Sequence, residues 1–441
     1  MSELANGIYN VFNCLLVTVI LARHHYGDRL RPLQRRWTDR GLVLVGLLLV
    51  LGTIVRCWRN IVDPQAWDYP MFYAIAKAAV SGRSFYRIEV LRTVFREVRF
   101  NAAVPDDWLS WKGIGYWYLP PSALLLAPFG VFSYTTSLTL HYLAQSACLA
   151  ASAALIHRMA PIAAGWRGRL DTIVLMLAFR PVQDVFQLAQ IVFGALFFVT
   201  LAFYTIDEQP VIAGIALGVG FLCKHLVLIA AGLTLCIRRY SAALAAAATV
   251  GAAMVGSAWV FGAQVFSDYN RYGPSANPAQ YYFSGPLNRS LFATIYRTFG
   301  VPRDDISLSA ALLSPRFALV AGLMTLITAA LCWRETRNPA GLPLKMSLIL
   351  GLALLISPFT LYHTVALILP VFFVLYAHRD RLPVPGWAVI VFIGLQYAFG
   401  SIHYAGSFAV LLSTWVCTAA VLLEMTARER RSSAPALSLL P

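Results

Sequence analysis

Apolar residues come in long runs along this chain and seldom alternate with polar ones. Leu42 to Cys57, Leu138 to Ile156, Leu244 to Phe261 and Leu312 to Trp333 each approach the ~20 residues an α-helix needs to cross a bilayer. Shorter apolar runs fill much of the remainder. Against this background one polar stretch, Val62 to Tyr86 (VDPQAWDYPMFYAIAKAAVSGRSFY), directly follows the Leu42 to Cys57 run. Its spacing predicts a short amphipathic helix with Phe72, Ile75, Ala76 and Ala79 on one side. Asp68 fits the N-cap of that helix and Pro70 its first turn, where no amide hydrogen is needed. Gly82 fits its C-terminal stop. Asp68 has a second reading, as a carboxylate placed for acid–base chemistry, and the two roles are compatible.

Two further segments have patterns of their own. Arg87 to Phe100 sets Val90, Val94 and Val98 at helical spacing with Arg92, Arg96 and Arg99 elsewhere, which predicts a helix lying at a membrane interface. Its arginines fit headgroup contact better than catalysis. Tyr116 to Ser133 carries two consecutive prolines ahead of a short apolar run, the pattern of a broken or re-entrant piece packed in protein.

Composition fixes the class. Of 441 residues, 59% are hydrophobic and only 12% charged, with mean hydropathy +0.66; a soluble domain has about 25% charged residues. The chain is expected to be an all-α polytopic membrane protein. Its net charge of +15 then sets orientation and meets anionic lipids. Nucleic acid is not an expected partner, because no compact basic domain with interleaved aromatics exists to bind it. The 7 cysteines lie in or beside apolar runs without a CxxC pair and read as small hydrophobes. Ile8 to Ala22 lacks a preceding basic region and reads as a retained span, not a cleaved signal.

The short basic segments assign sides. Arg23 to Arg40, HRMAPIAAGWRGR (157–169), Arg238-Arg239, WRETRN (333–338), HRDR (378–381) and ARERR (427–431) are expected in the cytoplasm. Two long loops, about 58–118 and 262–306, then lie outside and carry short interfacial helices. Alternation gives roughly thirteen crossings, provided Leu119 to Ser133 does not cross fully. Residues 1–425 form one integral-membrane domain without an obvious repeat, and 426–441 a cytoplasmic tail.

Polar residues at membrane depth are costly, so each is a functional candidate. Those on the outer side are Asp63, Asp68, Lys112, Gln183, Asp184, Gln190, Lys224, His225, Asn288, Arg297 and His363. Lys224 interrupts two apolar runs far from any basic edge. It is either a snorkelling lysine or the partner of an anion such as a phosphate. Asn288 and Arg297 share one segment and suit a sugar or a phosphate; Asn288-Arg289-Ser290 also matches a glycosylation sequon. No GxxxxGK, HExxH or GxSxG in a strand-turn-helix context occurs, and no soluble stretch is long enough for a nucleotide-sugar domain. An activated donor must therefore arrive through the membrane as a polyprenyl phosphate.

These residues resemble glycosyltransferase family 87. DYPMFYAIAKAAVSGRSFY is similar to the start of that family's outer loop, and Tyr118-Leu119-Pro120-Pro121 to its Tyr-x-Pro-Pro segment. PVQDVFQLAQ, Lys224, NRSL (288–291) and Ser357-Pro358 with His363 match later motifs in order. Ala189 stands where the family has glycine, His225 where it has proline, and Thr364 where it has a second histidine. Tyr73 keeps one of a tyrosine pair. These departures bear on the sugar more than on the fold.

The resemblance implies a GT-C fold and transfer of a sugar, expected to be mannose, from a polyprenyl-phosphate donor to a lipid or glycan acceptor hydroxyl. Inversion, no metal, no cofactor and an active site on the periplasmic side of the inner membrane are implied with it. Asp68 would be the base. Lys224, His363 and Arg297 would hold the donor phosphate. Tyr73, Gln190, Asn288, His225 and Lys112 would line the substrate. The alternative is a transporter or flippase of a lipid-linked saccharide, which shares the apolar chain but leaves the outer-loop aspartate unexplained.

Overall fold

The computed structural model describes residues 3–26, 32–62, 68–97, 118–273, 288–299, 314–334, 341–382, 384–399 and 406–433. The expectations for Asp63 and Lys112 lie outside these residues. The described chain is helical, with a single isolated bridge between Asn288 and Leu361 as its only extended pairing. In chain order the helices are α1 (Glu3–Tyr26), α2 (Pro32–Val62), α3 (Tyr69–Val80), α4 (Ile88–Glu97), α5 (Ser122–Leu126) and α6 (Tyr134–Met159). Next come α7 (Gly165–Ala178), α8 (Arg180–Leu188), α9 (Val192–Thr205), α10 (Pro210–Cys223), α11 (Val227–Leu233), α12 (Tyr240–Phe261) and α13 (Gln264–Tyr272). The last are α14 (Leu291–Phe299), α15 (Pro315–Trp333), α16 (Gly341–Ile356), α17 (Leu369–Ala377), α18 (Gly386–Phe399) and α19 (Gly406–Ser433).

Among the described residues, 5 helices are long and apolar enough to span a membrane: Thr38–Val62, Tyr134–Met159, Tyr240–Phe261, Pro315–Trp333 and Phe408–Glu429. Shorter apolar helices of 10–17 residues accompany them. The protein is an all-α integral membrane protein. Large apolar side chains stand exposed along α12 and α15, with Trp259 at 88% and Leu319 at 73%. That is the surface expected where lipid is the solvent. The enclosed part is formed by α6, α9 and α10 packed in series, and by α16 and α17, where nearly every side chain is buried.

Helix ends differ from the apolar runs that revealed them. The Leu42 to Cys57 run is the middle of α2, which continues from Pro32 to Val62 because its polar ends remain helical. In α4 the buried residues are Leu91, Val94 and Phe95, so Val94 is joined by Leu91 and Phe95 because 3.6 residues per turn brings i+3 and i+4 together, while Val98 lies outside the described residues. The double proline does break the chain: α5 and the 3-10 turn Ala127–Val131 replace a continuous span. Gly82 takes φ 68°, and Arg83 N–H donates to Ala78 O at 2.9 Å, so α3 ends as its sequence predicts.

Segments expected on the same side meet at one end of the body. The Arg23 guanidinium pairs with Asp39 and, at 3.4 Å, with Asp171; His24 Nε2 lies 2.6 Å from Asp171 and Arg167 lies 2.6 Å from Asp39. Arg379 donates to His25 Nδ1 at 3.0 Å nearby. These contacts join the end of α1 to the starts of α2 and α7.

α3 is fixed at the other end of α2. Its polar side chains all bind the 130–137 segment: Lys77 Nζ to Gly130 O at 3.0 Å, Tyr73 Oη to Phe132 O at 2.8 Å, and Tyr69 Oη with Ser137 Oγ at 2.6 Å. Gly130 permits this approach, because a Cβ there would overlap the Ala76 carbonyl. Gly130→Ala is therefore expected to destabilise the protein by about 1–3 kcal/mol through overpacking, read as a lower midpoint of thermal unfolding in detergent. An unchanged midpoint would show that the approach is not tight.

Candidate functional site

Asp68 begins α3, yet its carboxylate does not cap the helix; only its carbonyl accepts from the turn, at 3.4 Å from Phe72 N. The side chain instead accepts a hydrogen bond from Gln190 Nε2. Gln190 reaches this place because α8 ends abruptly. Ala189 takes the left-handed conformation at φ 52°, with Ala189 N–H donating to Phe186 O and Gln190 N–H to Val185 O at 3.0 Å. The family glycine that Ala189 replaces suits such a position, which costs a residue with a Cβ about 1–2 kcal/mol.

Lys224 is placed by a second interruption. Its backbone is extended, at φ −150°, between α10 and α11. Its Nζ donates to Gln190 Oε1 at 3.3 Å and to Tyr118 Oη at 2.6 Å, and lies 5.1 Å from the Tyr118 ring centre. Tyr118 stands at the head of the double-proline corner. Its carbonyl accepts from Tyr86 Oη at 2.8 Å, and its ring meets His225 at 5.2 Å between centroids. His225 Nε2 accepts from Leu119 N–H at 2.9 Å, so this imidazole is neutral with its proton on Nδ1.

The facing wall comes from the last third of the chain. Asn288 Nδ2 donates to Pro358 O at 2.6 Å, Arg289 N–H to Thr360 O at 2.7 Å, and Asn288 bridges Leu361. This pairing holds the polar break after α16 and brings Arg289, Tyr362 and His363 inward. Arg289 is the largest fully buried side chain, at 1% exposure. Tyr362 lies within electrostatic reach of Asp68, Asp184, Arg180 and Arg289. His363 is 1% exposed and near the Lys224 charge, and neither ring nitrogen has a hydrogen-bond partner among the described residues. An imidazole so placed is equipped to bind something from outside the chain.

Asp68 itself is half-buried. Burial holds its carboxyl above the ordinary carboxylate range, while the Gln190 hydrogen bond and the Lys224 charge pull it back down. A carboxylate next to a cation, under an apolar body, can take a proton from a hydroxyl while the cation meets a developing anion.

The structure sorts the expected site residues. It brings Asp68, Gln190, Lys224 and His225 together and sets His363 near them. Asn288 is fully buried and binds backbone, which removes the glycosylation reading of its sequon. Arg297 is exposed and donates to Asn288 O at 2.9 Å, so it braces the loop. Tyr73 packs edge-on to Tyr134 and binds Phe132. Asp184 pairs with Arg180 at 2.8 Å, and Gln183 binds Leu177 O at 2.8 Å. Tyr118, Arg289, Arg180 and Tyr362 do not stand out by residue type. Tyr118 and Arg289 lie inside the motifs named above, Arg180 directly precedes PVQDVFQLAQ and Tyr362 directly precedes His363, the one signal that could have marked them.

A polar centre held by interrupted helices inside an apolar, helical body defines an integral-membrane protein with an enclosed polar cluster. The family model of glycosyltransferase family 87 matches residues 116–358, more than half of the chain, and the protein belongs to that family. It is a membrane glycosyltransferase, acting on a sugar donor and an acceptor, and a transport role is not favoured. The match includes Tyr118, Gln190, Lys224 and Arg289; Asp68 precedes it and His363 follows it. Neither the curated proteins nor the solved structures give a match.

The left-handed end of α8 yields a check. Ala189→Gly is expected to fold and to transfer sugar, whereas Ala189→Val, a branched residue at positive φ, should lose about 1–2 kcal/mol or more. Thermal unfolding in detergent reads the difference; equal midpoints would contradict it.

Proposed function

We propose that this protein moves mannose from a polyprenyl-phosphate donor to an acceptor hydroxyl, with inversion and without a metal, on the outer face of the inner membrane. The observation that supports this most is the pairing of Asp68 and Lys224 through one amide at a break in the helical body. The acceptor oxygen attacks the anomeric carbon while Asp68 takes its proton. The anomeric carbon–oxygen bond breaks on the opposite face, and polyprenyl phosphate leaves with the electron pair. Lys224 meets the charge on the departing phosphate, Arg289 adds positive potential, and the unpartnered His363 hydrogen-bonds a phosphate oxygen. Electrostatic help of this kind is often the largest single term in catalysis. With cationic side chains around a monophosphate, no metal is required.

The GT-C architecture, the crossing number of roughly thirteen and the outward orientation belong to the same proposal. Supporting them, the basic cluster around Asp39 and the centre around Asp68 lie at opposite ends of α2. The excess of arginine at the Asp39 end favours that end as the cytoplasmic one.

Three outcomes are expected. Purified protein given a panel of polyprenyl-phosphate sugars should release free polyprenyl phosphate with the mannose donor, in the presence of EDTA; no release with any sugar would remove the reading. Asp68→Asn should lower transfer by about 10²–10⁴-fold. The folded carboxyl is raised, so its stabilising effect is complete below the unfolded value and is lost as pH rises through the folded one. Finally, the acid limb of the pH–rate profile should sit above the ordinary aspartate value of about 4.

A further inference from the structure

Two enclosed groups of opposite charge ordinarily pair directly, because neither is stable alone in an apolar setting. Asp68 and Lys224 do not. Each binds the opposite end of the Gln190 amide: the nitrogen donates to the carboxylate and the oxygen accepts from the ammonium at 3.3 Å. Glutamine suits this position on chemical grounds. It is neutral, with a donor at one end and an acceptor at the other, and here both charges fix which way the amide points. Its backbone is held by the left-handed Ala189 and the hydrogen bond to Val185, and its side chain is 6% exposed. Asparagine would be a methylene short, and glutamate would set a second negative charge against Asp68.

We infer that Gln190 is a positioning residue, a spacer that prevents Asp68 and Lys224 from closing into a direct ion pair. The carboxylate is thereby left able to take the acceptor proton, and the ammonium left able to meet the donor phosphate. This rests on Asp68 being the base. It also reassigns Gln190 from a residue that lines the substrate to one that acts through its neighbours.

The groups that face Asp68 come from four places. Gln190 extends from the end of α8 and Lys224 from the break between α10 and α11. Tyr118 stands at the proline corner, and Tyr362 in the turn before α17. His225 and His363 flank Lys224, and Arg180, Asp184 and Arg289 act on Tyr362. Lys224 is the cation bridged to Asp68 by a single side chain, and removing the amide leaves it free to swing across.

The test compares Gln190→Ala and Gln190→Glu with the wild type, using polyprenyl-phosphate mannose as the donor. In Gln190→Ala the ion pair closes, so the acid limb of the rate profile should move down by about 1–3 pH units. Its kcat should fall more than its KM changes. In Gln190→Glu the added like charge should move the limb up. The same shifts should be seen without substrate by infrared titration of the residue 68 carboxyl, taken as the difference from Asp68→Asn in each background. A raised KM with an unmoved limb in Gln190→Ala would mark Gln190 as a substrate contact and overturn the inference. An upward move in Gln190→Ala would show that only a hydrogen bond was lost, and would overturn it equally. Absence of sugar release by the wild type would sink the proposed function alone, since the infrared titration still decides the spacer.

Discussion

The energetic problem at the centre of this molecule is that charge in an apolar body must be answered by a partner. Asp68, Gln190, Lys224 and Tyr118 form one chain of hydrogen bonds that answers it without a direct ion pair. Much of the surrounding architecture follows from building that chain. α8 stops in a left-handed residue so that Gln190 can turn inward, and α10 ends at Lys224, whose amide still closes the last turn on Gly220 O while its backbone becomes extended. The proline corner holds Tyr118 at the right height. Breaks in membrane helices are tolerated only where protein re-satisfies the freed backbone groups. Here His225 does so by accepting the Leu119 amide.

The facing wall solves a different problem with the same means. A polar break after α16 would expose carbonyls, and the 288–290 segment covers them. Asn288 and the Arg289 amide take the Pro358 and Thr360 oxygens, while Thr360 Oγ1 takes Leu354 O at 2.6 Å. Residues that look chemical by type, such as Asn288, Arg297 and Tyr73, are used in this way to satisfy backbone. That bracing carries Arg289, Tyr362 and His363 toward the polar centre.

How much can be read from the chain alone follows from what each signal measures. Apolar runs report the lipid-facing middle of a helix, so α2 and α6 are visible but their polar ends are not. The basic segments are expected on one side, and those containing Arg23, Asp39, Arg167 and Arg379 gather at one end of the body. Asp68 and Lys224 are legible because an ionised group beside an apolar run is expensive enough to need a reason. Tyr118 and Tyr362 are not, because aromatic residues at membrane edges are common and carry no such cost. Arg289 lies in plain view inside NRSL, but only three-dimensional pairing with the 357–361 break shows that it is enclosed. In α4 the spacing of 4 finds the buried Val94 and the partly buried Val90 but passes over Leu91 and Phe95, and Val98 lies outside the described residues.

α2 has 31 residues, and its first turns are gripped at Asp39 by Arg23 and Arg167 while its far end leads to Asp68. Val62 lies 23 residues beyond Asp39, so at ~1.5 Å per residue the free arm is about 35 Å long. A tilt of about 2° about Asp39 therefore displaces the other end by about 1.2 Å. Misplacement on the order of 1 Å can cost a reaction about 10²-fold. The charge cluster near the start of α2 thus works as the fulcrum of a lever, and the placing of Asp68 depends on contacts made at the far end of the same helix.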